Sequence, residues 1–143
     1  MNDLLAALMS WAVTLSGYPA PDHLPEVVLV SHAELVHAAC ADHECKVQGW
    51  FPPGERIYLD QRLAPLDSTY SSAVVVHEMV HYLQQRSGRF AHPSGAADCD
   101  QVMAMEHEAY QAQRDFFMRY GDYQPVGTAL HATANCTPAA VSP

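Results

Sequence analysis

The stretch His77-Glu78-Met79-Val80-His81 constrains this chain more than any other. It lies within residues 71–84, a run without glycine or proline, so a continuous helix is expected there. Helical residues four apart share a face, so the imidazoles of His77 and His81 project side by side and can grip one ion. Glu78 is rotated beside that face, placed to hold a water rather than to bind the ion itself. Val74, Val75, Val76, Met79, Val80 and Leu83 make the helix apolar nearly all round, as expected of a buried element. Two histidines and a glutamate are costly to bury without partners. The pattern therefore points to a metal site rather than to two ordinary, partly exposed histidines.

Length and charge set the frame around that helix. The 143 residues suit a single domain with one modest core, an N-terminal helix over about 1–20 and a tail over about 122–143. Net charge is −9 with a single lysine, Lys46, so no basic patch is available and nucleic-acid binding is not expected. No apolar run approaches the length of a membrane span. Four cysteines, Cys40, Cys45, Cys99 and Cys136, permit two bridges, and we expect Cys40–Cys45 and Cys99–Cys136. Bridges imply a periplasmic or secreted protein; free thiols would imply the cytoplasm. The start, Met1-Asn2-Asp3, is acidic where an export leader would be basic, so an exported form is expected to have lost its leader before this point.

Taken in order, the chain predicts an α+β domain. Leu4, Leu8, Trp11, Ala12 and Leu15 form one apolar face of a first helix, stopped by Gly17 and Pro19. After a proline-rich connector, Glu26 to Val30 reads as an apolar strand internal to a sheet. Ser31 with Glu34 forms a capping box for a second helix to about Cys40, on which His32 and His37 are five apart, a poor spacing for sharing a metal. Lys46 to Phe51 and Arg56 to Asp60 flank Pro52-Pro53-Gly54-Glu55 and predict a hairpin. Asp67 or Ser68 caps the metal helix and Gly88 ends it. Residues 89–97, including His92, read as a surface loop. Cys99 to Tyr120 forms the last long helix, stopped by Gly121, and the final seven residues read as disordered.

A catalytic zinc site takes three protein ligands and leaves a fourth position open. The third ligand should come from the last helix, where Glu106, His107 and Glu108 are candidates. Glu106 shares a stripe with Val102, Ala109, Tyr110, Gln113, Phe117 and Tyr120, whereas Glu108 falls with Gln101, Gln111, Asp115 and Arg119 on a polar face. Phase therefore favours Glu106 as the ligand, with Glu108, His107 or an aspartate from elsewhere as the alternatives. A developing oxyanion would need a donor besides the metal, for which Tyr110, His107 and His131 are candidates.

His77-Glu78-Met79-Val80-His81-Tyr82-Leu83-Gln84 together with Glu106-His107-Glu108-Ala109-Tyr110 resembles the gluzincin metallopeptidases. The compact size is similar to the minigluzincins and to short, mostly uncharacterised bacterial metallopeptidase domains. The match covers the two helices and, loosely, the strand before them. The resemblance implies a small zincin-like fold, one zinc ion held by His77, His81 and the glutamate, and Glu78 as the base that activates a zinc-bound water against a peptide bond. It also implies that Arg56 to Asp60 borders the cleft and pairs with an extended substrate. Gln84 and Ser87 stand where a metzincin would carry glycine and histidine, which excludes that branch. Tyr110 stands where many gluzincins carry an acid supporting a ligand histidine, so Asp60, Asp98 or Asp100 is expected to take that part. The rival expectations are a metal-binding domain without peptidase activity acting in a protein–protein complex, and a zinc hydrolase for non-peptide substrates. A strand edge at Arg56 to Asp60 open to the metal favours the peptidase; a covered edge favours the complex.

Overall fold

The computed structural model describes residues 1–90, 99–132 and 138–139. Helix α1 runs Asn2–Ser16 and ends at Gly17, whose left-handed backbone returns its N–H to the Val13 carbonyl. Its buried stripe is Leu5, Leu8, Met9 and Ala12, while Leu4, Trp11 and Leu15 are only partly covered. The expected face is thus rotated, because α1 packs on two helices at once and Trp11 is drawn edge-on to Phe116, 5.9 Å away.

Strand β1 (Glu26–Val30) leads through α2 (His32–Cys40) to β2 (Gly49–Trp50) and β3 (Arg56–Asp60). The sheet order is β1-β3-β2, with β1 parallel and β2 antiparallel to β3. Two expectations change here. Strand β1 is an edge strand rather than an internal one, and Leu29 is 37% exposed. Strand β3, expected to border the cleft, is central and paired on both sides; its Ile57 and Leu59 are fully buried. The hairpin is present, but its first strand is shorter than Lys46 to Phe51. The proline pair limits its C-terminal end, and at the other end the Gln48 carbonyl continues the pairing by accepting from the Asp60 N–H at 2.9 Å. The hairpin tip is fastened to the next helix by paired bonds between Gly54 and Gln85 (2.7 and 2.8 Å).

Ser31 and Glu34 form the expected capping box on α2. His32 bonds Asp60 and Glu44, both at 3.1 Å, and exposed His37 bonds Asp42. Cys40 and Cys45 are joined, and Cys99 is also disulfide-bonded; its expected partner, Cys136, lies outside the described residues. Disulfides suit an oxidising compartment.

Helix α3 (Thr69–Ser87) is capped by Ser68 and closed by Gly88, and every residue from Ser71 to Gln84 is buried. Its buried serines bond carbonyls of the preceding turn, Ser71 to Leu63 and Ser72 to Leu66. The sheet, α1 and α4 (Cys99–Arg119) all pack around it, which is why it can be apolar on nearly every side. Described parts of the segment after α4 pack against the rest of the fold. Val126 joins the core and its carbonyl accepts from Arg114, while β4 (His131–Ala132) and β5 (Pro138–Ala139) pair antiparallel. Residues 91–97 of the loop expected over 89–97, with His92, and the last four residues lie outside the described residues. Among the described residues no helix is long and apolar enough to cross a membrane. The fold is a small α+β domain, as the sequence predicts.

Candidate metal centre

Helices α3 and α4 pack with small Ala109 and Ala112 buried between them, so a side chain of α4 can reach the histidine face of α3. Glu106 is the residue that does so. Its Oε1 lies 2.7 Å from His81 Nε2 and its Oε2 lies 3.4 Å from His77 Nε2. The two Nε2 atoms are 3.2 Å apart, and one ligating atom from each of the three residues fits within 4.8 Å of the others. Bonds of about 2.0–2.1 Å in a tetrahedral shell put neighbouring ligand atoms roughly 3.3 Å apart, so this set is spaced to share one ion.

Hydrogen bonds behind the histidines point the same way. His77 Nδ1 meets Gln113 Oε1 and His81 Nδ1 meets Gln84 Oε1, both at 2.9 Å. The amide of Gln84 cannot be turned round, because its Nε2 donates to the Met105 carbonyl (2.9 Å) and to Glu108 (3.1 Å). Its oxygen must therefore accept from His81 Nδ1–H, which leaves the lone pair on Nε2 for a ligand. The expected supporting carboxylate is thus replaced by two glutamine amides. Asp60 is not available for that part, since Arg62 and His32 hold it; Asp100 is exposed at the start of α4, and Asp98 lies outside the described residues.

The charges in this pocket need a cation. Glu78 is buried and Glu106 partly so, which is costly unless positive charge compensates. Burial alone would raise the Glu106 carboxyl, but the neighbouring His81 and His77 hold it well below the usual range. Burial would lower His81, yet the charge and hydrogen bond of Glu106, with Glu78 and Gln84 behind, raise it to about 9. Without metal, a proton on His81 Nε2 bridges to Glu106; a metal cation meets the same demand. Burial pushes the Glu78 carboxyl above its ordinary value and Glu106 adds to that, while the two histidines pull it back.

Glu78 does not join the ligand set. It lies under β2, where a Cβ on Gly49 would meet its Cγ at 2.8 Å. Tyr110 stacks edge-on to His77 with ring centroids 4.4 Å apart, and burial raises its hydroxyl. Its ring rests on Gly127, where any side chain would collide with it. Among the described residues neither the Glu78 carboxylate nor the Tyr110 hydroxyl has a hydrogen-bond partner. Among those residues no fully enclosed side-chain polar atom lacks one, so both groups keep an open side.

The remaining candidates fall elsewhere. His107 is exposed, and the side chain of His131 lies outside the described residues. Glu108 is no solvated glutamate: it accepts from Tyr18 at 2.5 Å, from Gln84, and from Arg89. Gln84, Gln113, Tyr18 and Gly49 are site residues that the sequence reading missed. A signal existed for the two glutamines, since each sits on the inward stripe of its helix, where a primary amide needs a partner.

The fold and site together define a small α+β domain with a candidate centre of two histidines and one glutamate. The chain belongs to the family described as Domain of unknown function (DUF6647), whose model matches residues 1–143. Searches of curated proteins and of solved structures each found no match.

Proposed function

We propose that this protein is a zinc-dependent metallopeptidase. The observation that carries the reading is the division of labour among four converging groups. His77, His81 and Glu106 converge through their ligating atoms, and Glu78 stands beside them with its carboxylate uncommitted. When bound, zinc supplies Lewis-acid polarisation of a carbonyl and makes a water more acidic. Glu78, whose burial favours the protonated form, takes the proton from the attacking water and passes it to the leaving amine. Tyr110, held protonated by its surroundings, donates its hydroxyl to the developing oxyanion.

A peptide needs backbone partners, and β3 offers none because both of its sides are paired. Of the two edges that the described strands leave, that of β2 is the one beside Glu78. The Gln48 carbonyl accepts from the Asp60 N–H, so by alternation Gly49 turns its N–H and C=O outward. Gly49 packs against the Glu78 side chain, so an extended chain paired on this edge would run beside the base. The disulfides support action outside the reducing cytoplasm, in a periplasm or after secretion.

The covered β3 is the observation that favours a second reading, a metal-binding domain acting in a protein–protein complex without hydrolysis. Glu78→Gln separates the two. The variant, assayed on a peptide mixture with its zinc content measured, should keep metal and lose at least about 100-fold in turnover, as expected for a general base. Cleavage at the wild-type rate would end the peptidase mechanism. Wild-type protein that binds zinc but cuts no peptide would leave the second reading.

A further inference from the structure

We propose that Glu108, with Tyr18 and Arg89, is a positioning device that sets the metal affinity of His81 through Gln84. The inference rests on the metal reading above and deepens it. Gln84 is fully buried and is the sole described partner of His81 Nδ1. Which end of its amide faces His81 depends on what holds the other end. Two acceptors do so, the Met105 carbonyl and Glu108 Oε1. The carbonyl is fixed by α4, but Glu108 is a mobile side chain that must itself be held.

It is held from outside the two metal helices. Tyr18, in the connector after α1, donates its hydroxyl to Glu108 Oε1 at 2.5 Å. Arg89, just past the end of α3, pairs with Glu108 Oε2 and also donates to the Tyr18 hydroxyl at 3.2 Å. The chain of contacts therefore runs from the N-terminal connector, through α4, to a ligand on α3. If Glu108 were absent, one Gln84 N–H would lose its acceptor inside the core. Only the Met105 carbonyl would then hold that end, so the penalty for turning the amide falls, and a turned amide presents N–H to His81 Nδ1. That favours the tautomer with its proton on Nε2, the atom needed for the metal. The same contacts explain why a glutamate on the polar side of α4 is drawn inward.

The test is chelator competition for zinc, together with the visible spectrum of the cobalt-loaded protein, on the full chain. Glu108→Ala should weaken zinc binding about 10- to 100-fold, as loss of an outer partner does, and shift the cobalt bands. Glu108→Gln, which keeps an oxygen within reach of Gln84, should recover most of the affinity. That recovery would not follow if Glu108 mattered only through its charge with Arg89. Should Glu108→Ala fail to fold, the double variant Tyr18→Phe with Arg89→Ala decides: weakening of at least about threefold supports the device, and wild-type affinity overturns it. Wild-type affinity and an unshifted cobalt spectrum in folded Glu108→Ala also overturn it. Glu106→Ala run alongside keeps the two claims apart. A wild-type chain that takes up no metal removes the metal reading and this inference together. Binding lost in Glu106→Ala but unchanged in Glu108→Ala removes this inference alone.

Discussion

At the scale of single residues, the site depends on a side chain that is missing. Gly49 has no unusual backbone angle, so alanine is compatible with its backbone. The obstacle is space, since a Cβ there would stand 2.8 Å from Glu78 Cγ and 2.9 Å from Oε1. Gly49→Ala should therefore push the Glu78 carboxylate aside while leaving the ligands in place. We expect turnover to fall about tenfold or more with metal content unchanged, because displacing a general base by a fraction of an ångström is enough to spoil proton transfer. Peptide turnover and zinc content in one preparation check it, and unaltered turnover would show that β2 does not confine the base. Residues of this kind are hard to read from sequence. His77, Glu78 and His81 are legible because four-residue spacing on a helix is itself the geometry of the site. Glu106 is legible because residues two apart are separated by about 200 degrees, which divides it from Glu108. Glu108 is misread by the same logic, since phase on α4 says nothing of Tyr18 and Arg89 folding over from other segments.

At the scale of elements, the join between sheet and helices turns on Asp60, the last residue of β3. It is nearly buried, caps the turn at Gln61–Leu63, and binds Arg62 and His32. The Arg62 guanidinium outweighs burial and lowers its carboxyl to about 2. A carboxyl lowered on folding contributes stability above its unfolded value of about 3.9 and loses it as pH falls toward the folded value. Unfolding midpoints should thus decline between about pH 4 and pH 2, and Asp60→Asn should flatten that part of the profile. At neutral pH the same change should cost on the order of 1 kcal/mol, a figure reduced because Arg62 is largely exposed to solvent. Denaturant melts across pH measure both; an unchanged acid limb in Asp60→Asn would contradict the assignment. Strand existence was legible here, but strand order was not. An apolar run such as Glu26 to Val30 reads as central whether it lies inside a sheet or beside it. The covering of β3 arises from pairings between segments far apart in the chain.

At the scale of the whole molecule, the arrangement is one core with its polar chemistry concentrated where α3 meets α4. The segments after α1 and after α4 are recruited to that junction, Tyr18 toward Glu108 and Gly127 beneath Tyr110. A cation that binds the folded form alone should stabilise it, so zinc is expected to raise the thermal midpoint and a chelator to lower it. The most direct measurement is bound zinc per chain after exhaustive dialysis, for wild type, Glu106→Ala and His81→Ala. Wild type should hold about one ion per chain, as three ligands around one open position require, and both variants should show background levels. A wild-type chain without zinc, or a Glu106→Ala chain that retains it, would contradict the centre formed by His77, His81 and Glu106.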